Sequence, residues 1–437
     1  MVSLQKYQNK KIGIYGMGLT GLSTAKFLKQ LGARIFCWDD SIEARNKVKK
    51  LNFHIKKFWK DKNEVDNIVI SPGIDINKCK IKKYLKKNLA KIITDLDLFF
   101  DQNKKGVIIS VTGTNGKSTT CKIIEKILKF AKYNVLTLGN IGKPILSFSK
   151  NKRKNVFIIE VSSYQLQYSK LFRSNHAAIL NISPDHLERH KNLKNYIKIK
   201  SKIFFAQNRS DYSYINSSNK YSKVIKEIFK KNKLKSKLIS INVLNKDLLI
   251  NNINNKYFNS RGNIENLLFA YQIAKKFKIK DKFIIKALNR FKGLPHRQEI
   301  IFSKTNLLCI NDSKATSFEA CLQSLSNYHQ IYWIVGGKPK HRDKFKLTSV
   351  RKRIVKAYII GKNIQFFKKQ IGKNTAISVS KNIRSAINNI IKDIKLNKKS
   401  KKTILLSPAA ASFDQYKNFE DRGNYFKYVI KKKLKGN

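Results

Sequence analysis

Short apolar runs alternate with amphipathic segments along the first hundred residues. The runs IGIYGMG, RIFCWDD, NIVISPGI and KIITDLDLFF have the length and composition of buried strands. Between them, GLSTAKFLKQLG has the spacing of apolar residues that is typical of an amphipathic helix. Strands that alternate with helices along a chain predict a parallel sheet, so we expect an α/β domain here.

The same alternation begins again twice. It restarts at GVIISVTG, continues through YNVLTLGN, NVFIIEVSS and HAAILNIS, and becomes polar over residues 206–260. A third set follows FKGLPHRQE, with LCINDSK, IYWIVGG, KAYIIGK and TILLSPAA as its predicted strands. The pattern therefore predicts three α/β domains with joints near residues 97 and 297.

Length and composition agree with a globular chain of two or three domains, since the protein has 437 residues and 42% hydrophobic content. No run of about 18 apolar residues is present, and the N-terminal residues lead into a strand pattern without a cleavable signal. We therefore expect a cytoplasmic protein with no membrane partner. The five cysteines lack C-x-x-C spacing and are expected to be reduced, mostly buried thiols.

The net charge of +65 is the strongest argument for a nucleic-acid binder, because phosphate contacts dominate such binding. However, the lysines are spread along the whole chain and no recognition module is visible, so we expect no nucleic-acid partner. The nucleic-acid alternative predicts binding to arbitrary DNA that weakens steeply with salt. Because the chain has only 27 Asp and Glu residues, a carboxylate inside a motif is less often an incidental surface residue.

The stretch VTGTNGKSTT joins the apolar run GVIIS to the amphipathic segment CKIIEKILKF. A glycine-rich turn at a helix N-terminus presents backbone N–H groups and the positive end of the helix dipole to phosphate. Lys117 would neutralise the β- and γ-phosphates of a nucleotide, and the hydroxyl of Ser118 or Thr119 could ligate Mg²⁺. The predicted phosphate-binding residues are Gly113, Thr114, Asn115, Gly116, Lys117, Ser118 and Thr119.

The spacing of this P-loop is G-x-x-G-K-S, because Val111 stands where the usual pattern has its first glycine. The alternative is an ordinary glycine-rich turn between a strand and a helix. The apolar strand before the turn and the amphipathic helix after it favour the phosphate-binding interpretation.

A second glycine-rich turn follows the first predicted strand. Gly16, Gly18 and Gly21 lie between that strand and a helix, and Asp39 ends the next strand. This is a dinucleotide-binding pattern, in which the acid reaches a ribose hydroxyl. It requires a ligand with a diphosphate but does not select NAD. An NAD-dependent oxidoreductase is the main alternative at this point, although it leaves the P-loop unexplained.

Acidic and histidine side chains end two further strands of the central set. Glu160 ends the strand in IIEVSSYQL, and Asp185 and His186 follow the strand in ILNISPDHLERH. Such side chains at strand ends suit Mg²⁺ or a water molecule held against ATP phosphates. Alternatively, Glu160 caps the following helix and His186 is a buried core residue.

Polar loops follow the strands of the third domain as well. Asp312, Ser313, Lys314 and Thr316 come after one strand, and Lys340 comes after the next. A lysine in such a loop is usually solvated, but loops at the carboxyl ends of parallel strands bind ligands. We expect the two lysines to face an anionic ligand.

The predicted fold class is therefore α/β with three domains. A Rossmann-like N-terminal domain covers residues 1–97, a central P-loop ATPase-like parallel sheet covers residues 98–297, and a Rossmann-like C-terminal domain covers residues 298–437.

Ten motifs, in order along nearly the whole chain, resemble those of the Mur ligase family. They are GMGLTGLS, SPGI, TGTNGKST, GNIG, EVSSYQL, NISPDHLERH, FKGLPHR, NDSKATS, GGKPK and LSPAAASFDQYKNFEDRGNYF. The last motif resembles the form found where D-glutamate is the added amino acid.

The resemblance implies a cytoplasmic, monomeric, ATP-dependent ligase of peptidoglycan precursor synthesis. Such an enzyme joins D-glutamate to UDP-N-acetylmuramoyl-L-alanine through an acyl phosphate and uses two Mg²⁺ ions. A folate-type ligase is a related alternative, but the N-terminal nucleotide domain argues against it.

The resemblance also implies a ligand for each glycine-rich loop. The N-terminal loop would hold the UDP end of the sugar nucleotide, and the P-loop would hold ATP. The residues implied at the sugar nucleotide are Leu19 and Thr20 near the diphosphate, Asp39 near the uracil, Gly73 and Asn140.

Further residues are implied at ATP and its metal ions. Glu160 and His186 would ligate Mg²⁺ with Ser118, and Lys200 matches a family lysine whose carbamate ligates a second Mg²⁺. The residues implied at the nucleotide itself are Asn266, His296, Arg297 and Asp312.

The third domain would bind the amino acid. Lys314 and Thr316 would lie near the phosphates or the incoming amino acid, and the residues implied at D-glutamate are Lys340, Ser412, Phe413 and Phe419. The expected catalytic residues are Lys117, His186, Lys200 and Lys314. The base that takes the proton from the amine is open between Asp185 and a more distant group.

Overall fold

The computed structural model describes residues 6–60, 65–139, 143–147, 155–243, 252–340, 344–396 and 401–434. Over these ranges the chain forms three β-sheets, one in each of the three predicted α/β regions. The predicted fold class is confirmed. The compact units of the chain are residues Met1–Phe291 and Lys292–Asn437, so the first unit contains two of the sheets.

The N-terminal sheet has four parallel strands in the order β2-β1-β3-β4. Its strands are β1 Lys11–Tyr15, β2 Arg34–Trp38, β3 Asn67–Ile70 and β4 Ile92–Ile93. The helices of this region are Leu19–Gln30, Ile42–Lys50, Lys82–Lys87 and Asp95–Gln102. The apolar side chains of β1 are fully buried, which explains why its sequence is an almost continuous apolar run.

The segment KIITDLDLFF differs from the prediction, because only its first part is a strand. The Thr94 hydroxyl accepts a hydrogen bond from the Asp97 backbone N–H, and the Asp97 carboxylate accepts one from the Thr94 backbone N–H at 3.0 Å. This reciprocal cap starts the helix Asp95–Gln102. The apolar residues after it are buried as one helix face rather than as a strand.

The central sheet has six parallel strands in the order β10-β9-β8-β5-β7-β6. Its strands are β5 Val107–Thr112, β6 Val135–Gly139, β7 Val156–Glu160, β8 His176–Ile179, β9 Tyr212–Asn216 and β10 Lys237–Ile241. The chain continues from β5 to one side of the sheet and from β8 to the other. Open α/β sheets bind ligands at the carboxyl ends of strands beside such a reversal, which here is the end of β5.

Seven helices of the described chain flank this sheet. They are Lys117–Phe130, Ser163–Tyr168, Leu187–His190, Leu193–Ser201, Ser222–Lys231, Arg261–Lys276 and Asp281–Asn289. The helices Lys117–Phe130 and Arg261–Lys276 share one apolar core with β5. That packing places the first turn of the helix Lys117–Phe130, and Glu265 and Asn266 of the second turn of the helix Arg261–Lys276, beside the carboxyl end of β5.

The polar region 206–260 contains two strands, β9 and β10, that its composition does not predict. The apolar signal is weak because β10 lies at the edge of the sheet, where two of its five side chains are exposed.

The third sheet has six strands in the order β11-β12-β16-β13-β14-β15, and β11 alone runs antiparallel to its neighbour. Its strands are β11 Glu299–Lys304, β12 Leu307–Asn311, β13 Ile331–Gly336, β14 Ile354–Ile360, β15 Ala376–Lys381 and β16 Lys402–Leu406. The helices are Phe318–Asn327, Ile364–Ile371, Ile383–Leu396 and Phe419–Leu434. The two edge strands, β11 and β15, are the ones that the apolar pattern misses.

Two general expectations can be compared with the described residues. The five cysteines are free thiols, four of them buried and Cys79 half-buried, as predicted. No helix among the described residues has both the length and the apolar content needed to cross a membrane.

Candidate functional site

The P-loop follows β5 at the centre of the middle sheet. Gly113 and Gly116 have φ angles of +154° and +84°, which L-residues with a side chain rarely adopt. A Cβ atom at Gly116 would lie 2.1 Å from Oδ1 of Asn266, so this position also lacks space for a side chain. Glycine is therefore required at Gly116 both by backbone conformation and by packing.

The loop is held by the end of β8. The backbone N–H of Thr114 donates to the carbonyl oxygen of Asn181 at 2.9 Å, and the N–H of Asn115 donates to its side-chain Oδ1 at 2.9 Å. The Thr114 hydroxyl accepts from the N–H of Ser183 at 3.0 Å. These contacts within the protein hold the first half of the loop.

Cationic and hydroxyl side chains start the next helix. The Lys117 ammonium donates to the carbonyl oxygens of Gly113 at 2.9 Å and Thr114 at 2.8 Å, so it lies across the loop. Ser118 and Thr119 are buried in the first turn. The Ser118 hydroxyl donates to Oε2 of Glu160 at 2.6 Å.

Glu160 ends β7 beside β5, where it pairs in register with Val111. It is 2% exposed, and its carboxylate accepts the hydrogen bond from Ser118. The cap of the following helix is Ser162, whose side chain accepts from the N–H of Gln165. The alternative in which Glu160 caps that helix is therefore wrong.

His186 lies in the loop after β8 with a left-handed backbone, φ +55°. Its Nδ1 is 2.9 Å from the Tyr164 hydroxyl, and its Nε2 is 3.4 Å from Oδ2 of Asp185. The side chain is 35% exposed. His186 is therefore not a buried core residue, and a carboxylate and a phenol orient its ring.

Lys200 is buried against the P-loop, although no pattern in the sequence selects it among so many lysines. Its Nζ donates to the Gly113 carbonyl oxygen at 2.9 Å and lies 3.2 Å from the Thr112 hydroxyl. Burial, with a further contribution from the Lys117 charge, lowers the pKa of Lys200 well below its ordinary value. Lys198 is exposed, and Lys202 instead donates to the carbonyl oxygen of Gln167.

Asn266 supports the loop from the helix Arg261–Lys276. Its Oδ1 accepts from the Thr120 hydroxyl at 3.1 Å, on the same side as Gly116. The preceding residue, Glu265, accepts at Oε1 from the Asn181 amide at 2.6 Å. Sequence reasoning missed Glu265 and Asn181, although an acid beside a predicted nucleotide residue in this acid-poor chain was an available signal.

Two oxygen-bearing side chains, Ser118 and Glu160, lie close enough at the end of β5 to share a metal ion. Across the described part of the chain, no three His, Cys, Asp or Glu side chains come together as a metal site. The oxygens at β5 are instead one hydroxyl and one carboxylate, from Ser118 and Glu160. Mg²⁺ at nucleotide sites is held by one or two protein oxygens together with phosphates and water. These residues fit a Mg²⁺ ion that is held mainly by a nucleotide.

The N-terminal loop is equally constrained. Gly16 has φ +94°, and a Cβ atom at Gly21 would lie 2.0 Å from the Gly16 carbonyl oxygen. Leu19 is 79% exposed and Thr20 is half-buried, at the first turn of the helix.

Asp39 does not point freely into solvent. Its carboxylate accepts from the backbone N–H of Met17 at 2.6 Å and of Ser41 at 2.9 Å. Gly73 is exposed in the loop after β3, with open space around its Cα. Asn140 lies outside the described residues.

In the second compact unit, Asp312 is buried directly after β12. Its carboxylate accepts hydrogen bonds from the hydroxyls of Ser324 and Ser407 and from the backbone N–H of Gln298. Burial raises the pKa of Asp312 to about 6. Its oxygens are therefore engaged within the unit.

His296 and Arg297 lie before β11. His296 is buried, and its Nδ1 is 2.9 Å from the Asn311 amide nitrogen. Burial lowers the pKa of His296 below its ordinary value. Arg297 is half-buried.

Lys314 and Phe419 are brought together, since the Lys314 ammonium lies 3.7 Å from the centre of the Phe419 ring. Thr316 is half-buried, Ser412 is buried, and Lys340 and Phe413 are exposed.

Arg422, which sequence reasoning missed, joins the two segments that carry Lys314 and Phe419. It is 1% exposed, and its Nε and Nη2 donate to the hydroxyl and carbonyl oxygens of Ser313 at 3.0 and 2.8 Å. The Ser313 hydroxyl in turn donates to the Phe419 carbonyl oxygen at 2.8 Å. The sequence does not distinguish Arg422 from the many other basic residues, because its partner Ser313 lies 109 positions away in the chain.

Two family models match the chain. The Mur ligase MurD-like N-terminal domain matches residues 10–93, and the Mur ligase middle domain matches residues 111–283. The P-loop, Glu160, His186, Lys200 and Asn266 fall within the second match.

Relatives match over almost their full length. The UDP-N-acetylmuramoylalanine--D-glutamate ligase of Rickettsia felis is 34% identical, over 98% of this chain and 98% of that protein. The protein of the same name from Wolbachia sp. subsp. Brugia malayi is 32% identical, over 99% of this chain and 98% of that protein.

Solved structures resemble the fold at lower identity. MurF from Acinetobacter baumannii has a TM-score of 0.57 at 15% identity and covers 91% of both chains. The UDP-N-acetylmuramate-alanine ligase MurC of Thermotoga maritima has a TM-score of 0.55 at 16% identity and covers 98% of this chain and 100% of its own. A Thermotoga maritima MurF ligase solved with ADP has a TM-score of 0.56 at 13% identity, over 99% and 97% of the two chains.

Proposed function

The chain belongs to the Mur ligase family, and we propose that it adds D-glutamate to UDP-N-acetylmuramoyl-L-alanine with the conversion of ATP to ADP and phosphate. Two relatives named UDP-N-acetylmuramoylalanine--D-glutamate ligase support this choice of substrates, because they are 34% and 32% identical over nearly the whole chain. The observation that carries the proposal is the P-loop at the end of β5. Lys117 donates to a carbonyl oxygen of this loop, and Ser118 at the start of the next helix donates to Glu160.

The chemistry explains the need for a nucleotide. A carboxylate at neutral pH is a poor electrophile, so a carboxylate oxygen of the L-alanyl group first attacks the γ-phosphorus of ATP. ADP leaves, and an acyl phosphate remains. The neutral amine of D-glutamate then attacks the acyl carbon, and the tetrahedral intermediate expels inorganic phosphate as the amide forms. The amine proton passes to a base, for which Asp185 is a candidate.

The role of the chain's own residues is to bind and orient polyanions. Lys117 and the backbone N–H groups of residues 113–119 would hold the β- and γ-phosphates. Asn266, which lies beside Gly116, would contact the nucleotide, and Lys314 would offset charge that develops on the transferred phosphoryl group. His296, Arg297 and Asp312 would complete the nucleotide contacts.

Mg²⁺ is part of the proposal. Ser118, Glu160 and His186 would hold it, and when bound it would offset the negative charge of the phosphates. Lys200 would hold a second ion as a carbamate. Carbamate formation requires an unprotonated amine, and burial, which lowers the pKa of Lys200, favours that form.

The remaining substrates are assigned to the outer domains. Leu19, Thr20, Asp39, Gly73 and Asn140 would contact the sugar nucleotide. D-glutamate would be bound by Thr316, Lys340, Ser412, Phe413 and Phe419. We further propose that the chain acts in the cytoplasm as a monomer, with domains of residues 1–97, 98–297 and 298–437.

The experiment that tests this function measures phosphate release with UDP-N-acetylmuramoyl-L-alanine and one amino acid at a time. We expect release with D-glutamate and none with L-alanine or a diamino acid. Lys117→Met should slow release by roughly 100-fold or more, because it removes a charge that stabilises the transition state. Lys105→Met, at an exposed lysine of the same unit, is the control.

Two results would contradict the proposal. Turnover with L-alanine or a diamino acid instead of D-glutamate would assign a different substrate. Reduction of NAD without ADP formation would assign a different reaction.

A further inference from the structure

Two consecutive residues of the helix Arg261–Lys276 hold the P-loop through hydrogen bonds. Asn266 touches the loop directly, through the contact of its Oδ1 with Thr120 and its closeness to Gly116. Glu265 reaches the loop indirectly, because its Oε1 accepts from the Nδ2 of Asn181 at 2.6 Å.

Asn181 uses both ends of its amide. Its Oδ1 accepts from the N–H of Asn115 at 2.9 Å, and its Nδ2 donates to Glu265 and, at 3.2 Å, to the Asn115 carbonyl oxygen. A reversed amide would place its NH₂ group against the N–H of Asn115 and its oxygen against a carboxylate. In its ionised form Glu265 can only accept hydrogen bonds, and that form permits one orientation of the Asn181 amide.

We propose that Glu265 is a positioning residue for nucleotide binding, which fixes the amide of Asn181 and through it the backbone of Asn115 in the P-loop. This rests on the proposed function, since it assumes that the loop binds ATP. Glu265 itself has no contact with the nucleotide in this proposal. It determines whether the first half of the loop is already in place when the triphosphate arrives, which reduces the ordering cost of binding.

Neighbouring polar and charged groups stabilise the side chain of Glu265. Burial raises its pKa to about 7, and hydrogen bonds from Asn181 and Asn216 and the charge of Arg261 oppose that rise. A carboxylate is costly to bury here, and these groups offset the cost.

The test measures the affinity of the purified full chain for a non-hydrolysable ATP analogue by titration calorimetry. Glu265→Leu should weaken binding by roughly tenfold, the equivalent of one hydrogen bond to a charged group. Glu265→Gln should restore most of the affinity, because its amide oxygen still accepts from Asn181. The matched control is Glu227→Gln, at an exposed acid of the same unit, which should bind like the parent.

A double-mutant cycle shows whether the effect passes through Asn181. Asn181→Ala should weaken binding, and Glu265→Leu should cause no further loss in that background. In steady-state assays the KM for ATP should rise in Glu265→Leu with kcat nearly unchanged, whereas mere loss of folded protein would lower kcat alone.

Two outcomes overturn the inference alone: Glu265→Leu binds the analogue as tightly as the parent, or it causes the same loss with and without Asn181. A parent chain that does not bind the analogue contradicts the proposed function and this inference together. The affinity of the parent therefore distinguishes the two failures.

Discussion

Burial shifts the pKa of Lys200 and Asp312, which are predicted site residues, and of Glu265. The pKa of Lys200 falls, that of Asp312 rises to about 6, and that of Glu265 rises to about 7. In each case desolvation is the largest cause, because burial disfavours the charged form of acids and bases alike. Residue type alone therefore does not give the direction of these pKa shifts, because the shifts depend on burial in the fold.

Lys200→Arg tests the role of a lysine that can lose its proton. Arginine stays protonated and cannot form a carbamate, so we expect turnover to fall by roughly 100-fold. Lys198→Arg changes an exposed lysine on the same helix and should leave turnover unchanged. Equal rates for the two variants in the phosphate-release assay would show that the buried amine has no special role.

Asp312→Asn tests the electrostatic cost of the buried acid in the second unit. The folded pKa of about 6 lies above the ordinary value near 3.8, so the folded state binds the proton more tightly. The parent is therefore expected to lose stability as pH rises from about 4 to 6, by roughly 2 to 3 kcal/mol from this group, with no further loss above that range.

The variant has no such proton to lose, so its melting temperature relative to the parent should rise across the same pH range. Thermal melts at half-unit pH steps measure the difference. A difference that does not change between pH 4 and pH 6 would contradict the raised pKa.

Within single elements, each glycine-rich loop contains a glycine that a neighbouring oxygen atom approaches closely, a backbone oxygen in the first loop and a side-chain oxygen in the second. Gly21 in the first loop and Gly116 in the second each lie where a Cβ atom would meet an oxygen, at 2.0 and 2.1 Å. Gly18, between Gly16 and Gly21, has open space around it instead. Within the first motif, packing therefore requires glycine at Gly21 but not at Gly18.

Gly21→Ala and Gly18→Ala are the matched pair that tests this difference. A methyl group at Gly21 must displace the Gly16 carbonyl, so we expect a loss of roughly 1 to 3 kcal/mol in the free energy of unfolding. At Gly18, with φ −69°, alanine is sterically allowed and should cost less than about 1 kcal/mol. Denaturant unfolding measures both, and a larger cost at Gly18 would refute the packing argument.

Four strands that are buried on both faces are predicted well, whereas β9, which is also buried, is missed because polar residues alternate with apolar ones in its sequence YSYIN. β5, β7, β8 and β13 are continuous apolar runs, and their boundaries are close to the predicted ones. The edge strands β10, β11 and β15 are missed because an exposed strand carries polar residues that resemble a loop.

The predictable part of the site is the part that is local in sequence. The P-loop and the residues at strand ends follow from motifs and from the alternation of strands and helices. Asn181, Glu265 and Arg422 depend on contacts between distant segments, which no local pattern contains. Lys200 is assigned by resemblance, and its burial beside Gly113 is visible only in the fold.

At the scale of the whole molecule, the first two sheets belong to one compact unit. Arg189 links them, since its Nη2 donates to the Ile74 carbonyl oxygen at 2.5 Å and its Nε to Oε1 of Gln167 at 2.8 Å. Ile74 follows the exposed Gly73, which is a predicted sugar-nucleotide residue. The Arg189 side chain therefore bridges the predicted joint near residue 97, because Ile74 lies before that joint and Gln167 lies after it.

Arg189→Met removes this link while it keeps an apolar stem of similar length. We expect a loss of roughly 2 kcal/mol, from hydrogen bonds of a charged group, and faster amide hydrogen exchange over residues 71–76. Arg209→Met, at an exposed arginine of the same unit, is the control. Unchanged exchange in Arg189→Met would show that other contacts hold the loop.

An oxygen label shows whether the carboxylate is phosphorylated during the reaction. UDP-N-acetylmuramoyl-L-alanine is labelled with ¹⁸O at both carboxylate oxygens and turned over with ATP and D-glutamate, and the phosphate is analysed by mass spectrometry. Activation through an acyl phosphate predicts one labelled oxygen in each phosphate, with the other in the new amide. Unlabelled phosphate would mean that water, and not the carboxylate, attacked ATP, which would contradict the proposed mechanism.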